Sequence, residues 1–341
     1  MMRSTCAYSV TFCDRAENHA GMQMIGSLAN RGFSVEELEQ ASERAKLRGL
    51  MATVHDLNAL LPDKVCLPDN ALAVTPSEAR WTLRLATCVT WQAEAPSAAV
   101  LVIEGAATAL LKGHEPNGSV TCLLAEMGAA PYDNQALMGR GAGRKVKNKH
   151  ARHNHCIADF GQLPNISAGR GTVVPFSSLP AIQALRTELP TLFGAKAHGL
   201  VAETNKYFDV RQCGIGWHGD AERRLVVGLR LGEATASMPL KFQWFQRSKP
   251  VGMVLEVVLK HGDMYAMSEK AVGCDWMTDR KGLTLRHAAG ADKYAKNKEP
   301  LSGVKRARAE PEQGGRSYVK PRLGDIVVGG EEERQEFMSS P

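Results

Sequence analysis

The chain has 341 residues, 44% of them hydrophobic and 23% charged, with a formal net charge of +6. That is the composition of a globular protein, long enough for one large domain or one domain with appendages. The mild basicity is compatible with nucleic acid without pointing to it, and no apolar run approaches the roughly 20 residues needed to cross a bilayer. The eight cysteines, at 6, 13, 66, 88, 122, 156, 213 and 274, show no CxxC pairs. This argues against a zinc or disulfide framework and for reduced thiols in an intracellular compartment, nuclear or cytoplasmic. The first twenty-odd residues have no clear apolar core flanked by basic residues, so no secretory signal is expected.

Residues 1–95 read as a helical N-terminal extension. Ser34 with Glu37 makes a capping box, after which Val35, Leu38, Ala41 and Ala45 recur at helical spacing. A second short helix is expected from Ala52 to Leu61, ending at Pro62. From Ala98, AAVLVIEG reads as a buried strand and ATALL as the start of a helix. Residues 140–155 form a basic, glycine-containing segment. Arg144, Lys145, Lys147, Lys149 and Arg152 are candidate nucleic-acid-binding residues, weighed against a solvated loop. His150, His153 and His155 lie in the same stretch and read as solvated or nucleic-acid-facing rather than as metal ligands. GAGRK lacks the preceding strand and the Lys-Ser pair of a phosphate-binding loop.

After a helix around Leu179 to Leu189, residues 199–288 run strand after strand, separated by turn-forming Gly, Pro, Ser and Asp residues. Such regular short strands suggest a sandwich or barrel. The aromatic strand with Phe242, Trp244 and Phe245 reads as core. From residue 291 onward apolar residues are sparse, and a mostly disordered charged tail is expected. It includes a possible short strand at Asp325 to Val328 and a KRAR run at 305–308 that could serve as an import signal.

The informative stretch runs from Asn205 to Glu222. A His-x-Asp pair at a strand end, His218 and Asp220, puts an imidazole and a carboxylate on one face. These are two of the three donors of the 2-His-1-carboxylate triad of non-haem iron oxygenases. The pair is preceded by Asn205 and Tyr207 and sits within Ile215-Gly216-Trp217-His218-Gly219-Asp220-Ala221-Glu222. His261-Gly262-Asp263 and then Arg280-Lys281-Gly282-Leu283-Thr284-Leu285-Arg286 follow. In order and spacing this region resembles the AlkB family of Fe(II)/2-oxoglutarate-dependent dioxygenases over roughly 199–288, extending back toward residue 97.

The resemblance implies an α+β fold with a double-stranded β-helix (jelly-roll) core over 96–290, supported by helices. It implies Fe(II) and 2-oxoglutarate as cofactors, and a substrate that is an alkylated base in DNA or RNA, hydroxylated or oxidatively demethylated as in DNA repair. The protein would be a monomer. By the same resemblance, Arg280 grips the distal carboxylate of 2-oxoglutarate and Arg286 lies near its other end, with Thr284 between them. Asn205 and Tyr207 would hydrogen-bond the same cosubstrate, and Glu222 would face the base beside catalytic His218 and Asp220.

The family's third iron ligand is a histidine placed before the final Arg strand, where this chain has Cys274, Asp275, Trp276 and Met277. Three readings stand at this point. His287 completes the triad, although strict alternation would put it on the opposite face from Arg286. Alternatively Asp275 or Cys274 ligates, or the third ligand is absent. The alternative functions are a 5-methylpyrimidine- or protein-side-chain-oxidising relative, or a catalytically dead nucleic-acid-binding module.

Overall fold

The computed structural model describes residues 5–62 and 95–295, apart from 117, 140, 280 and 281. The N-terminal half contributes β1 (Ala7–Cys13), β2 (Arg15–Glu17), β3 (Met24–Gly26), helix α1 (Val35–Leu47), β4 (Ala52–Asp56) and β5 (Ala99–Ile103). Helices α2 (Ala106–Leu110) and α3 (Val120–Ala129) follow. After them come β6 (Gln135–Met138), β7 (Lys145–Asn148), β8 (His153–Ala158), β9 (Val173–Pro175) and helix α4 (Pro180–Phe193). The remainder is β10 (Val201–Tyr207), β11 (Gly214–His218), β12 (Val226–Leu231), β13 (Leu240–Gln246), β14 (Lys249–Val257), β15 (Met264–Met267), the short helix α5 (Glu269–Val272) and β16 (Leu283–Gly290).

Two sheets carry the architecture. The larger has eight strands in the order β4-β5-β15-β12-β1-β10-β8-β9, and the smaller has four in the order β11-β16-β13-β14. All pairings in both are antiparallel except β8 with β9. One face of the large sheet packs on α1, α3 and α4 through a cluster that includes Phe12, Leu38, Leu101, Leu185 and Leu229. The other face packs on the small sheet through Val100, Tyr207, Val226, Phe242, Trp244 and Leu285. The fold is mixed α/β, with helices on one face of a large sheet and a second sheet on the other. Burial on both faces explains why β5 and β12 are apolar at almost every position.

Several sequence expectations hold. The Ser34–Glu37 capping box starts α1, which buries Leu38, Ala41 and Ala45. Pro180 opens α4, and Phe242 and Trp244 are fully buried.

The helical reading of the N-terminal extension does not hold beyond α1. Residues 52–56 form β4, paired along its length with β5, and only Asn58–Leu60 make a short helical turn. Thr53, Val54 and His55 find a sheet edge in β5, and that pairing overrides a weak local helix preference. Residues 7–13 are a strand in the middle of the large sheet, between β10 and β12. The tail beyond residue 295, with the 305–308 run and the strand expected at 325–328, lies outside the described residues. No helix among the described residues is long and apolar enough to cross a membrane.

Candidate metal centre and its cavity

The site forms between the two sheets. Ile215 pairs with Ala289 and His218 with His287, so β11 spends three steps where β16 spends two, a β-bulge at Gly216–Trp217. The bulge resets the alternation, and His218 emerges on the same inner face as Ile215. Nδ1 of His218 donates to the carbonyl of Gly216 at 2.7 Å, which leaves Nε2 free as a lone-pair donor.

Asp220 sits just past the strand, in a loop clamped from several sides. Its amide donates to the carbonyl of Val272 in α5. A side chain at Gly219 would strike the carbonyl of Gly273 at 2.2 Å. The Asp14 carboxylate, at the end of β1, accepts from the amides of Arg224 and Leu225, and Arg15 Nε donates to the carbonyl of Glu222 at 2.7 Å.

The third donor is His287. Nε2 of His218 lies 3.5 Å from Asp220 Oδ1, and Nε2 of His287 lies 3.6 Å from the same oxygen. The two imidazole rings are 4.3 Å apart at 62°, and the three ligand atoms all lie within 4.8 Å of one another. Two imidazoles and one carboxylate converging at this separation suit a first-row divalent cation. Burial and the neighbouring His287 hold His218 below the ordinary imidazole range, the form that ligates. Burial would lift Asp220, but Arg223 and the two histidines keep it well below the usual carboxylate range. Nδ1 of His287 is buried without a hydrogen-bond partner.

Asp275 and Cys274 take no part. Asp275 is bonded to Lys270, and no other group of three such donors converges among the described residues.

The triad opens into a half-open cavity with about 60 Å³ of room for the centre of a water-sized sphere, lined among others by Ser9, Asn205, Tyr207, Arg230 and Tyr265. Asn205 and Tyr207 are thus both on the cavity wall beside the triad. Glu222 also lines the cavity, but it is ion-paired to Arg223. Arg223 also bonds Glu203, and burial raises the Glu222 carboxyl against the pull of Arg223.

Arg286 and Thr284 are corrected. With His287, Leu285 and Ala289 turned inward, alternation sends them to the outer face of β16. There the Arg286 guanidinium lies over Phe245 and Trp276, and the Thr284 hydroxyl donates to the carbonyl of Phe245. Arg280 lies outside the described residues.

The basic segment divides. Lys145 and Lys147 are exposed on β7, and Arg144 donates to the carbonyls of Gly21 and Leu137. Lys149 and Arg152 are buried, contrary to a nucleic-acid-facing role. Lys149 donates to the side-chain oxygens of Asn18 and Asn154, and burial brings its amine down to about 8. Arg152 reaches into the cavity and donates to Asn205 Oδ1 at 2.7 Å. His155 is fully buried, stacked near Tyr132, so it is neither solvated nor nucleic-acid-facing.

Sequence reasoning missed Ser9, Thr11, Arg223, Arg230 and Tyr265 as cavity residues. Tyr265 had one signal, a glycine. Gly228 is its direct partner on β12, and a Cβ there would fall 2.1 Å from the Tyr265 ring, so the glycine lets the ring lie on the sheet.

The chain matches no family model. Over 289 residues it is 37% identical to an uncharacterised protein of Acanthamoeba polyphaga mimivirus, a match that takes in 84% of this chain and 97% of that protein. With identity of that level over nearly the whole of the viral protein, the chain belongs to the same family as that mimivirus protein.

Proposed function

We propose that the chain is an Fe(II)/2-oxoglutarate-dependent dioxygenase with a jelly-roll core, acting on an alkylated base of DNA or RNA. The observation that carries the reading is the convergence of His218, Asp220 and His287 on one point at the edge of a polar cavity.

The strand order supports the jelly roll. From β10 onward the chain passes between the sheets at almost every step: β10 in the large one, β11 in the small, β12 large, β13 and β14 small, β15 large, β16 small. The next strand in that rhythm would lie in the large sheet between β10 and β12. That slot is filled by β1, from the other end of the sequence.

When bound, the metal and cosubstrate would supply oxygen activation, in which O2 and 2-oxoglutarate are consumed, succinate and CO2 are released, and a C–H bond of the substrate becomes C–OH. His218, Asp220 and His287 would hold the metal, and the bulge and the clamped 219–225 loop fix their directions. The cavity's Asn205, Tyr207 and Tyr265 supply hydrogen-bonding groups for orienting a cosubstrate. The exposed Lys145 and Lys147 favour a polyanionic substrate. The reading of an inactive binding module rested on a missing third ligand, and His287 offers that donor.

The test is anaerobic Fe(II) binding by the wild type, His218→Ala and His287→Ala, followed by succinate formation once 2-oxoglutarate, oxygen and methylated oligonucleotides are added. The reading predicts about one Fe(II) per chain and succinate in the wild type alone. A wild type that binds no iron and makes no succinate sinks it.

A further inference from the structure

Arg230 is one of the largest fully buried side chains of the molecule, 2% exposed, and it projects from β12 into the cavity that the triad borders. Its Nε and Nη1 have no hydrogen-bond partner. Asp263, whose carbonyl accepts from the Arg230 amide, has its carboxylate taken up by the amides of Gly105 and Lys260. The acids that line the cavity, Glu203, Asp220 and Glu222, are gathered on Arg223. Burying a cation without a counter-charge costs several kcal/mol, and arginine remains protonated in proteins. Around it stand neutral hydrogen-bonding groups: Ser9 is its direct neighbour on β1, Asn205 is the next residue across on β10, and Tyr265 lines the same wall.

We propose that Arg230, and not Arg286, anchors the far carboxylate of a small 2-oxo diacid whose 2-oxo acid end reaches the His218–Asp220–His287 triad. The assignment rests on the metal reading for that second end only. A guanidinium fork matches a carboxylate with two parallel hydrogen bonds, and Ser9 and Asn205 supply neutral partners for the oxygens left over. Arg286, by contrast, is covered by Phe245 and Trp276 on the other side of β16.

The experiment compares the full-length wild type, Arg230→Met and Arg286→Met under anaerobic conditions with Mn(II). Mn(II) binding is followed by its spin-resonance signal, and 2-oxoglutarate and pyruvate are titrated by calorimetry. Pyruvate keeps the metal-chelating end and lacks the distal carboxylate. Arg230→Met is expected to bind Mn(II) and pyruvate as the wild type does and to lose about 30-fold or more in affinity for 2-oxoglutarate. Arg286→Met is expected to keep it. An unchanged 2-oxoglutarate affinity in Arg230→Met overturns the assignment, as does an equal loss for pyruvate.

A second arm separates this from the metal reading. If the wild type takes up no Mn(II), glutarate in EDTA still has to raise the melting temperature of the wild type and not of Arg230→Met, and failure there overturns the anchor as well. Without ligand, Arg230→Met should melt at or above the wild-type temperature, because an uncompensated charge has been removed. A clear drop would mean that the guanidinium is structural, and would also overturn the proposal.

Discussion

His218 and His287 are directly opposed residues on the neighbouring strands β11 and β16, and their rings meet at 4.3 Å. That pairing brings His287 into the group with His218 and Asp220, although it lies outside the segment where the resemblance places the third ligand. His287→Ala should lower Mn(II) or Fe(II) affinity about 100-fold or more. Cys274→Ser and Asp275→Asn should leave it within about twofold. Anaerobic metal titration decides, and a large loss in either of the last two would restore them as ligands.

Gly228 gives a second prediction. Gly228→Ala drives a methyl group into the Tyr265 ring on the paired strand and should cost about 1–3 kcal/mol. Adding Tyr265→Ala should recover part of that loss, because the clash is removed with the ring. Denaturant unfolding of the two single variants and the double variant measures the coupling.

His155 should make the protein acid-labile. Burial pushes its imidazole down from 6.5 to about 3, so the unfolded chain binds this proton more readily than the fold does. The stabilisation is fully present above pH 6.5 and is lost as the pH falls from there toward 3, at up to about 1.4 kcal/mol per pH unit. His155→Phe should flatten the pH dependence of unfolding free energy across that window. An unchanged slope would place the acid sensitivity in other groups.

The basic segment separates by exposure. If the proposed nucleic-acid substrate is right, Lys145→Ala and Lys147→Ala should each weaken oligonucleotide binding and reduce the salt slope by about 1. Lys149→Ala should leave that slope alone and destabilise the fold by about 1–3 kcal/mol, because it orphans the side-chain oxygens of Asn18 and Asn154. Binding titrations at several salt concentrations, with melting curves, test both halves.

Asn205 and Tyr207 were legible because they lie two apart on the single strand β10, whose period of two can be read directly, and the His-x-Asp pair because its two donors are neighbours in the sequence. The inward turn of His287 was harder to see. It depends on the face β16 presents, which is set by the register against β11, and that register shifts at a bulge no local pattern announces. Arg286 and Thr284 failed for the same reason, since choosing one face of a strand fixes the fate of both sets of side chains. Lys149 and Arg152 sit in a run that looks solvated by composition, and only the packing of β8 against β10 and the loop at Asn18 buries them. Ser9, Thr11 and Arg230 carry no local signal, because they become neighbours only when β1 is threaded between β10 and β12.

That threading also shapes how the chain is made. β1 leaves the ribosome well before the two strands that flank it, β10 and β12, which lie beyond residue 200. At about 5–20 residues per second, translation leaves it waiting on the order of 10–40 s before Val201 and its successors appear. Throughout that interval a seven-residue strand, buried at six positions in the finished fold, has neither of its edges satisfied. The nascent protein thus carries an open β-edge until those strands arrive, which favours holding by a chaperone and makes premature pairing with a neighbouring chain the characteristic way for its synthesis to go wrong.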